Sequence, residues 1–167
     1  AVQTAWFRYE YYPEQDPDVR ERKKELCMGG QSGLAQAKFY DSRPFDFDER
    51  VGNLNHYESH PVYSALQAVL SASNDDAVCV IQIGSCSGRE IAWVADSFPG
   101  VRCVGTDIYP EVVEYSRQAH RAENLEFRLL PARDIGQLVI ELAKFQVIVF
   151  SSGSLQYVQP EHVEIFF

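Results

Sequence analysis

The chain has 167 residues, a length that suits one domain, and its 46% hydrophobic and 13% aromatic residues can fill a core. The net charge of −9 repels a phosphate backbone and an anionic membrane surface, which argues against nucleic acid as a partner. No stretch approaches the roughly 18 consecutive apolar residues of a spanning helix, so no membrane association is expected. The N-terminus also shows no signal-peptide pattern.

The cysteines do not form the pairs that zinc sites and disulfide frameworks use. None stands in a C-x-x-C arrangement, and two of them fall inside apolar strand patterns. The four are Cys27, Cys79, Cys86 and Cys103. We therefore expect no metal site, and reduced thiols predict a reducing, cytoplasmic location.

The N-terminal third differs in character from the rest of the chain. Residues 1–59 carry an aromatic stretch, a charged stretch and a proline-bearing loop, and they are predicted to form an N-terminal extension or lid. Residues 60–167 are predicted to form the main domain. It opens at Pro61, since proline fits the first position of a helix. The helix has one apolar stripe, formed by Val62, Ala65, Leu66 and Val69.

The most informative stretch is a strand, a glycine turn and a helix in direct succession. The apolar run from Val78 to Ile83 is typical of a parallel strand buried on both faces. Gly84 and Gly88 interrupt it and allow the backbone to approach a ligand closely. Apolar residues then recur at helical spacing, at Ile91, Val94, Ala95 and Phe98. The turn is thus predicted at the carboxyl end of the strand, where open α/β sheets bind ligands.

A second apolar strand, residues 101–107, ends in the carboxylate of Asp107. A carboxylate at this position can accept hydrogen bonds from both hydroxyls of a ribose. The next residue is Ile108 rather than Arg, which argues against a 2′-phosphate on that ribose.

Two further strands are predicted at residues 125–130 and 146–150, each reached through a helix. The repeated strand–helix pattern predicts a parallel sheet with right-handed crossovers, and we expect the strand order 3-2-1-4. Before the last helix, Asp134 and Gln137 form a capping-box pattern, with Asp134 as the N-cap.

These residues resemble the class I, Rossmann-like family of S-adenosylmethionine-dependent methyltransferases, over roughly residues 60–158. The first motif of that family is acid-x-Gly-x-Gly-x-Gly. It stands here as Gln82-Ile83-Gly84-Ser85-Cys86-Ser87-Gly88. Gln82 replaces the acid and Cys86 replaces the middle glycine. The family fold has seven strands, so the resemblance also implies that three later strands are missing and that the chain is truncated.

The resemblance implies S-adenosylmethionine as cofactor and assigns roles to particular residues. The turn from Gly84 through Ser85 and Cys86 to Gly88 would face the methionine part, and Gln82 is a further cofactor-binding residue. Asp107 would hold the ribose and Ile108 would pack on the adenine. Backbone groups of Ala132 and Arg133 would lie near the adenine, with Asp134 as a helix cap or a further adenine contact. Ser151 would flank the methyl group, and Tyr40 is a lid candidate.

The resemblance also implies a methyl acceptor, which the acidic composition suggests is a small molecule or a protein. No catalytic residue stands out, since the four histidines are scattered and are expected at the surface or at helix ends. The apolar C-terminal Phe166 and Phe167 favour association, for example into a homo-oligomer.

Two other functions fit parts of the same pattern. Residues 84–88 also read G-x-C-x-G, a nucleophile elbow of an α/β-hydrolase with Cys86 as nucleophile and Asp134 and His162 as partners. That hypothesis leaves Asp107 without a role. The departures at Gln82, Cys86 and Pro131, together with the missing strands, leave open a non-catalytic, methyltransferase-like binding module. NAD binding is disfavoured because a G-x-G-x-x-G motif would need glycine at positions 86 and 89.

Overall fold

A computed structural model describes residues 33–35, 37–38, 41, 61–72, 77–151 and 154. Within these residues, four strands alternate with helices. In chain order the elements are α1 (Pro61–Ala72), β1 (Val78–Ile83), α2 (Arg89–Ser97), β2 (Arg102–Asp107), α3 (Pro110–Ala119), β3 (Leu125–Leu129), a 3-10 turn (Ala132–Asp134), α4 (Ile135–Glu141) and β4 (Gln146–Ser151).

The strands form one parallel sheet in the order β3-β2-β1-β4, which confirms the predicted order and the Rossmann-like α/β fold. The chain runs outward from β1 to β3 and then returns to β4 on the other side of β1. Ile83, the last residue of β1, is paired with Thr106 of β2 and with Ser151 of β4. The reversal therefore places a ligand-binding crevice beside the carboxyl end of β1.

The core covers both faces of β1, as the unbroken apolar run predicts. All six residues of β1 are buried. One face packs with α1, α2 and α3 through Leu66, Ile91 and Val113. The other face packs with α4 through Ile135 and Leu138. Burial on both sides makes β1 the rigid base from which the following turn projects.

The predicted capping hydrogen bond to the Asp134 side chain does not form. Asp134 does occupy the N-cap position of α4, but its side chain makes no capping hydrogen bond. Its backbone, at φ −99° and ψ 2°, lacks the extended conformation that aims a capping side chain at the helix N–H groups. The preceding 3-10 turn imposes this conformation, since Asp134 N–H donates to Pro131 C=O at 3.0 Å.

Part of the predicted extension lies against the main sheet domain. Residues 33–35, 37, 38 and 41 are helical. A Cβ atom at Gly33 would lie 2.9 Å from the ring of Tyr109, just before α3, and the Tyr115 hydroxyl of α3 donates to the Asp41 carboxylate. The boundary between residues 59 and 60 stays a prediction. Predictions that involve Cys27, Tyr40, His162, Phe166 and Phe167 lie outside the described residues.

Candidate functional site

The turn between β1 and α2 depends on three residues with left-handed backbone conformations. They are Gly84 at φ 66°, Cys86 at φ 49° and Gly88 at φ 78°. A Cβ atom at Gly84 would lie 2.2 Å from Ser154 Oγ, and one at Gly88 would lie 2.6 Å from the Phe127 ring. Glycine is therefore required at both positions for space as well as for conformation. Cys86 adopts the same region at a cost of about 1–2 kcal/mol, which its surroundings offset.

Hydrogen bonds from β2 and α3 hold this turn in place. Ser85 N–H donates to the Thr106 carbonyl at 2.8 Å, and the Ser116 hydroxyl donates to the Cys86 carbonyl at 2.9 Å. Cys86 N–H donates to Asp107 Oδ2 at 3.1 Å. This bond connects the glycine turn directly to the acid at the tip of β2.

Asp107 organises the backbone around it before any ligand is considered. Its Oδ1 accepts N–H groups of Ile108 at 2.8 Å and Tyr109 at 3.2 Å. Burial raises the pKa of the Asp107 carboxyl above its usual range, while the three backbone N–H donors, including that of Cys86, oppose the rise. Because a carboxylate offers about four acceptor positions, Oδ2 still has one for a ligand hydroxyl.

Apolar surface lies beside this carboxylate. Ile108 is 55% exposed and follows Asp107 directly. Leu129, which pairs with Asp107 across the sheet, is 50% exposed. Large apolar side chains next to a polar anchor suit a flat aromatic ligand such as a nucleobase.

Gln82 and Glu90 form a buried pair that the sequence pattern revealed only in part. Gln82 is 2% exposed, and its Nε2 donates to Glu90 Oε2 at 2.5 Å. Among the described residues, Gln82 Oε1 has no hydrogen-bond partner. Glu90 was missed as a site residue. The signal that could have found it is its position in the first turn of α2, two residues after Gly88.

The remaining predicted site residues lie along the same edge of the sheet. The Ser151 hydroxyl donates to the Ile83 carbonyl at 3.2 Å, which brings the end of β4 against the glycine turn. Ala132 and Arg133 lie in the 3-10 turn after β3. Arg133 is exposed and pairs with Asp134 at 4.0 Å.

His120 also contacts the turn, which its sequence position did not reveal. It is the C-cap residue of α3, as expected for a helix-end histidine. Its Nε2 lies 2.8 Å from the Ser87 carbonyl, so Nε2 carries the proton and donates to that oxygen. Nε2 is also 3.8 Å from Asp41 Oδ1.

Neither a metal cluster nor a membrane span is found in the part of the chain that the structure describes. In residues 33–35, 37–38, 41, 61–72, 77–151 and 154, no three His, Cys, Asp or Glu side chains cluster in a way that could hold a metal ion. No helix within these same ranges is long and apolar enough to cross a bilayer.

The strand order of the parallel sheet reverses at β1, and the glycine turn lies at that point with a carboxylate at the tip of β2. These features define a Rossmann-like domain for an adenosine-containing cofactor. The profile of a family described as a methyltransferase domain matches residues 80–167, which is more than half of the chain. The chain belongs to this methyltransferase family, and the resemblance to class I S-adenosylmethionine-dependent methyltransferases is confirmed. No curated protein matches the chain.

Solved structures show similarity at low sequence identity. One is a SAM-dependent methyltransferase from Anabaena variabilis, with 16% identity, a TM-score of 0.52 and coverage of 90% of this chain. This chain spans only 55% of the length of that protein. Another is the plantazolicin methyltransferase BamL, solved in complex with a triazolic desmethylPZN analog and SAH. It has 16% identity, a TM-score of 0.35, and coverage of 71% of this chain and 44% of its own. The first similarity supports the fold.

Proposed function

We propose that this chain carries the cofactor site of an S-adenosylmethionine-dependent methyltransferase that acts on a small-molecule or protein acceptor. The observation that carries the proposal is the hydrogen bond from Cys86 N–H to Asp107 Oδ2. This bond joins the glycine turn to the ribose-binding carboxylate. The family assignment supplies the reaction class.

The described residues fit this cofactor. Gly84, Ser85, Cys86 and Gly88 would face the methionine part, in a turn too tight for side chains at either glycine. Asp107 has acceptor capacity for a ribose hydroxyl, and the exposed Ile108 offers an apolar surface to the adenine.

The outer parts of the site are supplied by other loops of the sheet edge. Ala132 and Arg133 would offer backbone groups beside the adenine. Ser151, held against the end of β1, would flank the methionine end.

Methyl transfer requires alignment more than acid–base catalysis. The bound sulfonium would supply an already activated methyl group. The protein residues would bind and orient the cofactor and exclude water from the acceptor side. We therefore assign the described residues to binding and positioning, and none as a catalytic base.

The partners and location follow from charge and thiol chemistry. The net charge of −9 disfavours nucleic acid and favours a small-molecule or protein acceptor. Cys79, Cys86 and Cys103 form no disulfide within the described part of the chain, which fits a cytoplasmic location. β4 lies at the edge of the described sheet with Val149 39% exposed, a surface that a second copy of the chain could cover.

A non-catalytic binding module is the second candidate. It is favoured by Cys86, which holds a left-handed conformation where the family has glycine, and by the amide of Gln82 in place of an acid. Cofactor binding with no methyl transfer to any acceptor in a broad screen would support it. The hydrolase hypothesis is weaker, because Cys86 N–H is engaged by Asp107 and the family assignment points elsewhere.

Calorimetric titration with S-adenosylmethionine and S-adenosylhomocysteine tests the proposal. We expect micromolar binding that Asp107→Ala weakens at least about tenfold, because a charged hydrogen-bond acceptor is lost. The matched control is Asp96→Ala, which removes an exposed acid on α2 and should leave affinity unchanged. Absence of binding by the wild type would contradict the proposal. Equal affinity in Asp107→Ala, with its fold verified by circular dichroism, would contradict the site assignment.

A further inference from the structure

We infer that Glu90 and Gln82 together hold the ammonium group of the cofactor's methionine part. This inference rests on the proposed function and deepens it. It assigns the charge-recognising element of the site to a helix residue, Glu90, that the motif itself does not contain.

The Gln82 amide has one orientation that suits its neighbour. The Glu90 carboxylate only accepts hydrogen bonds when ionised, so the Gln82 NH₂ must be the group that faces it, at 2.5 Å. Gln82 Oε1 consequently points away from Glu90. This oxygen is buried and has no partner among the described residues.

The Gln82 oxygen therefore needs a donor. A buried acceptor without a donor is unfavourable, and native structures rarely contain one without a functional reason. Gln82 lies two residues before Gly84, at the carboxyl end of β1 where the predicted ligand crevice begins. A donor supplied by the ligand would satisfy Oε1 without any rearrangement of the strand.

The charge of Glu90 specifies the kind of donor. Glu90 lies in the first turn of α2, immediately beyond the glycine turn, and is half-buried. Because the two side chains are hydrogen-bonded, the amide oxygen of Gln82 and the negative charge of Glu90 lie close together. A primary ammonium carries three N–H donors and one positive charge, and it matches both properties.

The sequence motif supports the same conclusion. The family carries an acid at the position of Gln82, and here that position is neutral. The hydrogen bond between Gln82 and Glu90 brings a carboxylate from α2 to the neutral position. The negative charge is thus retained near the end of β1, with a different residue supplying it.

The test compares three ligands that differ at the amino-acid end. They are S-adenosylhomocysteine, its deaminated analogue, which keeps the carboxylate, and 5′-methylthioadenosine, which lacks the whole amino-acid part. The full chain should bind S-adenosylhomocysteine about tenfold or more tightly than the deaminated analogue, because the latter brings no ammonium donors to Gln82 Oε1 and the Glu90 carboxylate. Equal affinity of the wild type for these two ligands would overturn the inference without any mutation.

The variant Glu90→Gln sharpens the comparison, since it removes the charge and keeps an acceptor for Gln82 Nε2. We expect about tenfold weaker binding of S-adenosylhomocysteine and unchanged binding of the other two ligands. The matched control is Glu111→Gln, because Glu111 is the second residue of α3 as Glu90 is of α2. It should change none of the three affinities.

The remaining outcomes are also decisive. Equal weakening of all three ligands by Glu90→Gln would show a structural role for the pair and overturn the inference, while the proposed function would stand. Failure of the wild type to bind any of the three ligands would overturn the proposed function and this inference with it.

Discussion

At the scale of single residues, Asp107 has two tasks that depend on the same two oxygens. Three backbone N–H groups, from Cys86, Ile108 and Tyr109, already point at its carboxylate. The carboxylate therefore shapes the turn that would receive the ligand and would also bind that ligand. Its burial makes the ionised form less favourable than in water, which links ligand affinity to pH.

We expect affinity for S-adenosylhomocysteine to fall as the pH is lowered through the raised pKa of Asp107. Only the ionised carboxylate accepts from both the backbone and a ribose hydroxyl, and burial lifts this pKa above the ordinary 3.8. The loss should therefore begin at a higher pH than for an ordinary aspartate. Titration calorimetry between about pH 4 and pH 7 measures it.

The control for this pH dependence is Asp107→Asn, which should bind S-adenosylhomocysteine more weakly at neutral pH. Its affinity should also fall less at acidic pH, because residue 107 no longer titrates. Parallel curves for the wild type and Asp107→Asn would contradict the assignment of that titration to Asp107.

The cysteines should differ sharply in reactivity. Burial raises the pKa of Cys79 to about 11 and that of Cys103 to about 12, so both stay protonated at neutral pH. Cys86 lies in the turn and is half-buried. Iodoacetamide should therefore modify Cys86 before Cys79 and Cys103, and S-adenosylhomocysteine should protect Cys86. Peptide mass spectrometry over time measures both effects, and faster labelling of Cys103 would refute the expectation.

At the scale of elements, one aromatic ring joins β3, β2 and the glycine turn. Phe127 of β3 is 4% exposed and pairs with Gly105 of β2. A Cβ atom would lie 2.6 Å from this ring at Gly105 and 2.6 Å from it at Gly88. The Phe127 ring thus fills the space beside Gly88 and Gly105 and packs against the glycine turn.

Gly105→Ala should lower the free energy of unfolding by about 1–3 kcal/mol, because the added methyl overlaps the Phe127 ring in a packed core. Gly136→Ala provides a matched control of opposite sign. Gly136 lies in α4 with nothing within 4 Å of its added Cβ, so alanine should stabilise the helix by about 0.5–1 kcal/mol. Urea denaturation measures both changes. Similar effects of the two substitutions would contradict the packing argument.

At the scale of the whole molecule, the N-terminal helical residues contact the helix that holds the glycine turn. Tyr115 of α3 donates to Asp41, and the adjacent Ser116 donates to the Cys86 carbonyl. His120 bonds the Ser87 carbonyl and lies 3.8 Å from Asp41. The position of Asp41 and the shape of the turn are thus connected through α3.

Tyr115→Phe should increase hydrogen exchange in peptides covering residues 33–41 and reduce stability by about 1–3 kcal/mol, since a hydrogen bond to a carboxylate is lost. Tyr63→Phe is the matched control, because the Tyr63 hydroxyl accepts an exposed hydrogen bond from Gln67. It should have little effect on either quantity. Unchanged exchange in Tyr115→Phe would show that Asp41 is held by other contacts.

The same hydrogen bond predicts a dependence on alkaline pH. Burial and the neighbouring Asp41 carboxylate raise the pKa of Tyr115 from 10.0 to about 12. The folded state therefore holds this proton more tightly than the unfolded state. Its contribution to stability is present below about pH 10 and is lost as the pH rises through about 12. Tyr115→Phe should remove that part of the alkaline loss in denaturation curves.

The sequence by itself determined the features that depend on neighbours along the chain. The mostly apolar sequence of β1 predicted burial on both faces, and the glycines at 84 and 88 marked a turn that needs positive φ. The alternation of strands and helices predicted a parallel sheet, and the structure confirms the expected strand order. The position of Asp107 at the tip of β2 could also be predicted, because the apolar run that forms this strand ends there.

Only the tertiary structure decided which side chains meet across elements. The bond between Gln82 and Glu90, the Phe127 ring on Gly105 and the bond between Tyr115 and Asp41 join residues on different elements. Local pattern does not specify such pairs, because they depend on register and helix orientation. The capping box failed for a related reason: a 3-10 turn set the backbone of Asp134, and that conformation overrode the sequence pattern.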